Sequence, residues 1–380
     1  MGTVVFGLLV VQRSRQQTAS PQAETSAPPP PASKPQTPET APGSLPKAET
    51  PSKEEKKGEE KKEVAKKETV HEAAPPPAAA PAAVPPRKLL YFRANALGDN
   101  YGKLAVAPLD ALDRPQFSPE LACDRVHFSN GKGVCLASDR GVFTTYSAVL
   151  FDRNLRRVGW TIPLNGIPSR TRVSPTGRLA AITIFLSGHS YASLAFSTQT
   201  TIVEIATGKT LVDLEKFSVT RDGVPFQSPD FNFWGVTFQK DDNRFYATLW
   251  SKAKTYLVEC KLAERSAKVI HEGVECPSLS PDNTRIAFKK RMPGNRVIWR
   301  IYLLDLKTFA ETPLGETHNV DDQVEWLDND HILYALSDNP GGASASTNVW
   351  VLPAKADGVP QILRKGGYSP SVTTGSLPGL

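Results

Sequence analysis

The sequence predicts an all-β fold, a six-bladed β-propeller behind a short apolar segment and a disordered linker rich in Pro, Ala, Lys and Glu. Three observations predict it. A strand–turn–strand pattern recurs, with Pro175, Asp241, Pro281 and Asp328 in equivalent turns 40 to 66 residues apart. Of the 31 aromatic residues only Phe6 precedes Tyr91, so core-forming material begins near residue 88. Residues 12–87 hold 16 of the 33 prolines and no aromatic residue.

The clearest copy runs from Cys276 to Leu306. Ser280-Pro281-Asp282-Asn283 is a turn in which Pro presets φ and Asp and Asn bond their own backbone. Arg285-Ile286-Ala287-Phe288-Lys289 then alternates with period two, as a half-buried strand does. Pro293-Gly294-Asn295 breaks the chain, Val297 to Leu306 is β-branched and aromatic, and Thr312-Pro313-Leu314 supplies a short edge strand where Pro is tolerated. Four antiparallel strands in about 40 residues, repeated, describe a propeller blade.

The remaining elements follow in order. Thr3 to Val11 is an apolar run of nine residues, shorter than the roughly 20 that a spanning helix needs. No Lys or Arg precedes it and no small-x-small cleavage site follows, while Arg13 and Arg15 lie just beyond. A start site assigned too late would explain this, with residues 1–11 the tail of a longer signal-anchor. Residues 12–87 cannot repay the entropy of folding and read as a disordered spacer. At roughly 3 Å per residue it holds a domain on the order of 100–200 Å from its anchor.

The propeller is expected over 88–375, with a disordered tail at 376–380. Leu89-Leu90-Tyr91-Phe92 and Lys103 to Val106 open it. Further copies are read at Ser118 to Leu164, Arg172 to Leu214, Asn232 to Ile270, Cys276 to Leu314 and Asp321 to Leu363. Tyr368 to Val372 begins a copy that is not completed and the first copy lacks its opening, so the two make one blade and close the ring.

Pro277-Ser-Leu-Ser-Pro-Asp-Asn-Thr-Arg-Ile-Ala-Phe288, followed by Ile301-Tyr-Leu-Leu-Asp-Leu306, resembles the WD40-like repeat of TolB-like β-propellers, and Arg172 to Ile182 is a second match. Asn283 and Thr176 depart from the Ser-Pro-Asp-Gly pattern, and Gln239-Lys240 replaces Ser-Pro in the fourth blade. The resemblance covers about residues 88–375 and is specific for fold. It implies a membrane-anchored bacterial form with an extracytoplasmic propeller and partners in envelope complexes. The same repeat also caps prolyl oligopeptidase-like hydrolases. No hydrolase domain follows before Leu380, which argues against a peptidase.

Lys+Arg minus Asp+Glu is 45 − 39 = +6, thinly spread and without a basic block beside aromatics, so no nucleic-acid partner is expected. Cys123, Cys135, Cys260 and Cys276 fall as two local pairs. Nearest-neighbour disulfides, Cys123–Cys135 and Cys260–Cys276, are expected over buried free thiols because the N-terminus suggests export. Zinc is not expected, since neither pair has C-x₂₋₄-C spacing.

Gly188-His189-Ser190-Tyr191-Ala192 approximates a nucleophile elbow, but strand-like sequence follows where a helix is required. The segment therefore reads as an inter-strand loop offering His189 and Tyr191 as exposed recognition residues. Asp321, Asp322, Asp328 and Asp330 suggest calcium by type, yet their spacing is not an EF-hand loop and Asp328-Asn329-Asp330 sits where a turn is required. Asp321, Asp322 and Trp234 are retained as binding candidates, although Trp234, Trp299, Trp326 and Trp350 fit inter-blade packing. The expected function is non-enzymatic: a monomeric, membrane-anchored scaffold of the cell envelope, presenting a propeller surface and central channel to a protein or envelope polymer, without cofactor or metal. The alternative is a lactonase- or lyase-type propeller with a metal in the channel.

Overall fold

The computed structural model describes residues 86–193, 195–337 and 346–377, which form a six-bladed propeller. The expected N-terminal apolar segment and all but the last residues of the linker lie outside the described residues, as do 378–380. Among the described residues no helix is long and apolar enough to cross a membrane.

Blade 1 is built from both ends of the domain: Gly367–Gly375 is innermost, followed outward by Arg87–Ala94, Lys103–Pro108 and Gln116–Ala122. The closing pair is antiparallel and runs from Arg87↔Gly375 to Ala94↔Gly367. Blades 2, 3, 5 and 6 are four-stranded sheets that open at the axis with Arg125–Ser129, Ile167–Val173, Glu275–Leu279 and Glu325–Trp326. Blade 4 opens with Asn232–Phe238 and carries six strands.

Apolar side chains alternate toward the gaps between blades, and each gap holds a buried cluster. Tyr91, Phe128 and Phe151 fill the first gap, Leu150 and Ile182 the second, and Phe233 and Phe245 the third. Phe288 and Leu257 fill the fourth, Ile301 and Tyr334 the fifth, and Phe92 and Leu333 the sixth. A blade cannot bury both faces alone, so the ring is the folding unit. Trp326 packs as expected, its Nε1–H donating across blades to Ser278 O at 2.8 Å.

Four expectations are corrected. Ser118 does not open blade 2; Gln116–Ala122 is the outer strand of blade 1, and blade 2 begins at Arg125. Ser118 Oγ donates to Leu155 O and accepts from Leu121 N–H, so within this strand the Ser-Pro pair resembles the opening of other blades only in sequence. The hairpin Ser218–Arg221 and Val224–Phe226, closed by the Asp222-Gly223 turn, was not anticipated; its Ser218–Arg221 strand pairs parallel with Ser266–Glu272. Both turn residues have positive φ, 53° and 80°, as a tight hairpin requires. Leu377, placed in the tail, packs against the blade 1–blade 2 core.

The fourth correction concerns the cysteines. Cys123–Cys135 is a disulfide with Cα atoms 5.3 Å apart. Cys260 and Cys276 are free and buried. Cys260 faces the core between blades 3 and 4, whereas Cys276 lies on the innermost strand of blade 5 in an aromatic cluster near the axis. Adjacent in sequence terms, they belong to different blades and point into different cores.

Candidate functional site

Each innermost strand runs from one face of the ring to the other. One face carries the tight turns that follow these strands, such as Ser280–Asn283; the other carries the longer loops between second and third strands. These are the turn face and the loop face.

Alternate residues of the innermost strands face the axis, and in blades 2, 3, 5 and 6 several of these are charged. Toward the loop face, Lys289 reaches inward from the second strand of blade 5, bonds Asp321 and lies 3.7 Å from Glu275. Arg170 meets Asp321 at 3.3 Å, and Arg291 meets Glu275 at 3.3 Å. In mid-channel Arg125 meets Asp322 at 3.3 Å, and Asp322 also accepts Ala335 N–H at 3.1 Å. Toward the turn face Arg172 bonds Glu325, Ser278 Oγ and Val324 O. Five cations thus face four carboxylates, all engaged with one another.

Burial pushes the Asp321 carboxyl up, but Lys289 and Arg170 outweigh it and hold it at about 2. Burial likewise raises Glu325, and Arg172 with His127 reverses the shift to below the ordinary value. His127 is lowered, first by burial. Its Nδ1 accepts Val173 N–H at 3.1 Å, which leaves the neutral ring's proton on Nε2, 3.5 Å from Glu325 Oε2.

The loop face of the channel is stoppered. Gly188-His189-Ser190-Tyr191-Ala192 is an inter-strand loop of blade 3, as expected, but Tyr191 is buried, not exposed. Its ring stacks on Trp234 with centroids 4.6 Å apart, its hydroxyl meets Ser169 Oγ, and its carbonyl accepts from Arg291 at 2.7 Å. Lys289 lies 5.1 Å from the Tyr191 centroid and 4.0 Å from that of Trp299. Burial raises the Tyr191 phenol, so it remains a neutral plug.

Among the five candidates, then, Tyr191 and Trp234 meet in this plug, Asp321 ties it to the channel and Asp322 holds mid-channel. His189 stays exposed without joining them, and the Asp321 side chain is 38% exposed. Gly188 has φ +70°, and a Cβ there would lie 2.8 Å from Ala195 O. Its role is conformational: Gly188→Ala should lower stability by about 1–3 kcal/mol in urea unfolding. Asp328 is a turn residue, accepting Asp330 N–H at 2.9 Å and His331 Nδ1–H at 3.0 Å.

The turn face is open. A cavity of about 250 Å³ lies there, with Arg172, His127 and Glu325 as its floor and Val173, Phe238, Leu279, Trp326 and Val372 in its walls. The channel is therefore a blind pocket. Its charged floor was missed in the sequence, although Arg170 and Arg172 stand out as two like charges at alternate positions of one short strand, Ile167–Val173.

The loop face also carries an arc of exposed apolar side chains over three consecutive blades: Leu97 and Tyr101 in blade 1, Val142 and Phe143 in blade 2, Ile167 and Leu186 in blade 3. Val142 and Phe143 are 95% and 83% exposed.

No protein-family model and no curated protein matches the sequence. Among solved structures, TolB from Acinetobacter baumannii is similar with a TM-score of 0.50 and 15% identity, over 75% of this chain and 66% of that one. A putative TolB from Agrobacterium tumefaciens matches with a TM-score of 0.47 and 11% identity, over 77% of this chain and 99% of that one. A puromycin-hydrolyzing peptidase from Mycobacterium tuberculosis gives 0.44 and 13%, over 74% and 45%. At such identities the likeness is one of fold, and the fold is that of a TolB-like propeller.

Proposed function

We propose that this chain is a non-enzymatic binding or scaffold protein of the cell envelope, extracytoplasmic and held to the membrane through its N-terminal segment. It acts as a monomer and docks a protein or envelope-polymer partner on the loop face. The observation that carries this reading is the apolar arc from Leu97 to Leu186, since large apolar side chains exposed together on one face mark interaction sites. Two further features support it. The channel carboxylates are engaged by Arg and Lys, so a metal there would have to displace ion pairs already made. The buried Cys123–Cys135 disulfide suits an oxidising compartment.

The test places a photo-crosslinking amino acid at Phe143 on the loop face or at Phe309, which is 41% exposed on the turn face, in cells of the native host. One dominant cross-linked partner is expected from position 143 and none from 309. Identical patterns from both positions would remove the loop face as the docking surface. A stoichiometric metal in purified protein would favour the enzymatic alternative.

A further inference from the structure

The cavity on the turn face is a built site with one cation left over. Ser174 N–H bonds Leu179 O, Gln239 N–H bonds Arg244 O and Ser280 N–H bonds Arg285 O, the same six-residue turn in blades 3, 4 and 5. By that register Pro175, Lys240 and Pro281 are equivalent, and all three line the cavity rim. Two blades place a proline there and the blade between them places a lysine.

Lys240 is exposed and makes no ion pair or hydrogen bond among the described residues. The carboxylates around it are already engaged. Asp241 bonds Arg244 at 2.8 Å, Asp242 accepts from Thr176 Oγ1 at 2.7 Å and Asp282 accepts from Ser280 Oγ at 2.6 Å. Glu325 in the floor is held by Arg172 and His127. The cavity thus offers an apolar wall, a neutralised floor and an uncommitted ammonium at the lip.

We propose that this cavity binds a monocarboxylate on an apolar body, with the body between Phe238 and Trp326 and the carboxylate on Lys240. A dry cavity of about 150 Å³ accepts benzene, so 250 Å³ accommodates one ring with a short acid-bearing arm. A free arylalkanoic acid and the C-terminal aromatic residue of a polypeptide share this chemistry. The site is on the opposite face from the docking arc, so its failure leaves the scaffold reading intact, and the reverse.

Isothermal titration calorimetry of the full chain with 3-phenylpropionate tests the proposal. One site is expected, with a dissociation constant on the order of 0.1–1 mM. 3-Phenylpropionamide should bind about tenfold more weakly, because it forfeits the charge-assisted bond. Lys240→Gln, and Lys240→Pro, which copies the neighbouring blades, should weaken the acid to the level of the amide and leave the amide unchanged. Phe238→Ala should weaken both. The tetrapeptide Gly-Gly-Gly-Phe as free acid and as amide separates the two sources: tighter binding of its acid than of 3-phenylpropionate assigns a chain terminus, and the reverse order a free acid. Absence of saturable binding by either acid, equal binding of acid and amide, or a Lys240→Gln protein that binds the acid unchanged would overturn the proposal.

Discussion

Glu325→Ala should lower the unfolding free energy by about 3–5 kcal/mol, because it leaves the Arg172 guanidinium buried without its counter-charge. Arg172 and Glu325 lie in the channel floor on innermost strands of blades 3 and 6, 153 positions apart. Burying each charge is costly, and their mutual bond with His127 and the Val372 N–H offsets that cost. Removing one partner exposes the whole penalty. Urea unfolding followed by tryptophan fluorescence measures the loss, and a change below about 1 kcal/mol would mean that water reaches Arg172. The pair replaced together, Arg172→Met with Glu325→Leu, should recover most of it, since an apolar pair carries no desolvation penalty.

The pH dependence has a definite sign. The folded Glu325 carboxyl titrates below its ordinary value of 4.5, so the unfolded chain binds the proton more readily. Its contribution is fully present above 4.5 and disappears as pH falls through the folded value. Asp321, held at about 2, behaves the same way over a lower range. Native protein should therefore lose stability progressively from pH 4.5 toward pH 2, and Glu325→Ala should show a shallower decline.

Cys123→Ser with Cys135→Ser should cost about 3 kcal/mol, the entropy of a loop of this size in the unfolded chain. The two cysteines are 12 positions apart. Cys123 lies between the outer strand of blade 1 and the inner strand of blade 2, so the bond fastens that crossover onto the second strand of blade 2. Unreduced, denatured protein should show two reactive thiols, Cys260 and Cys276, and four after reduction. Four thiols without reductant would mean that the disulfide does not form.

The blades were legible because their turns carry local chemistry. Ser174, Gln239 and Ser280 make the same backbone bond although only two of them belong to Ser-Pro, so the turn survives the loss of its sequence signature. The same local signature misled at Ser118-Pro119, where an edge strand tolerates proline. Asp222-Gly223 is a local hairpin signal, but the hairpin it closes lies outside the four-strand blade repeat.

The site was less legible because it depends on closure. Arg172 meets Glu325 and Arg170 meets Asp321 only once blades far apart in sequence share an axis. The cysteines show the same limit. Cys260 and Cys276 have the spacing of a local pair, but successive blades turn their side chains into different gaps. Tyr191 was read as exposed because a loop normally is; this loop folds inward over a channel whose existence no local pattern records.

Blade 1 has a consequence for how the protein is made. Its three outer strands are synthesised first, yet their inner neighbour, Gly367–Gly375, is among the last segments of the propeller to be added. Ser371 Oγ both receives from Phe128 N–H and donates to Phe128 O, across 243 positions of chain. Until that segment arrives, Arg87–Ala94 presents a bare hydrogen-bonding edge and the channel has a gap in its wall. Such distant pairing is slow, and an unpaired edge in the interval invites pairing with other chains. The growing chain therefore carries one specific open strand edge until the final strand locks in.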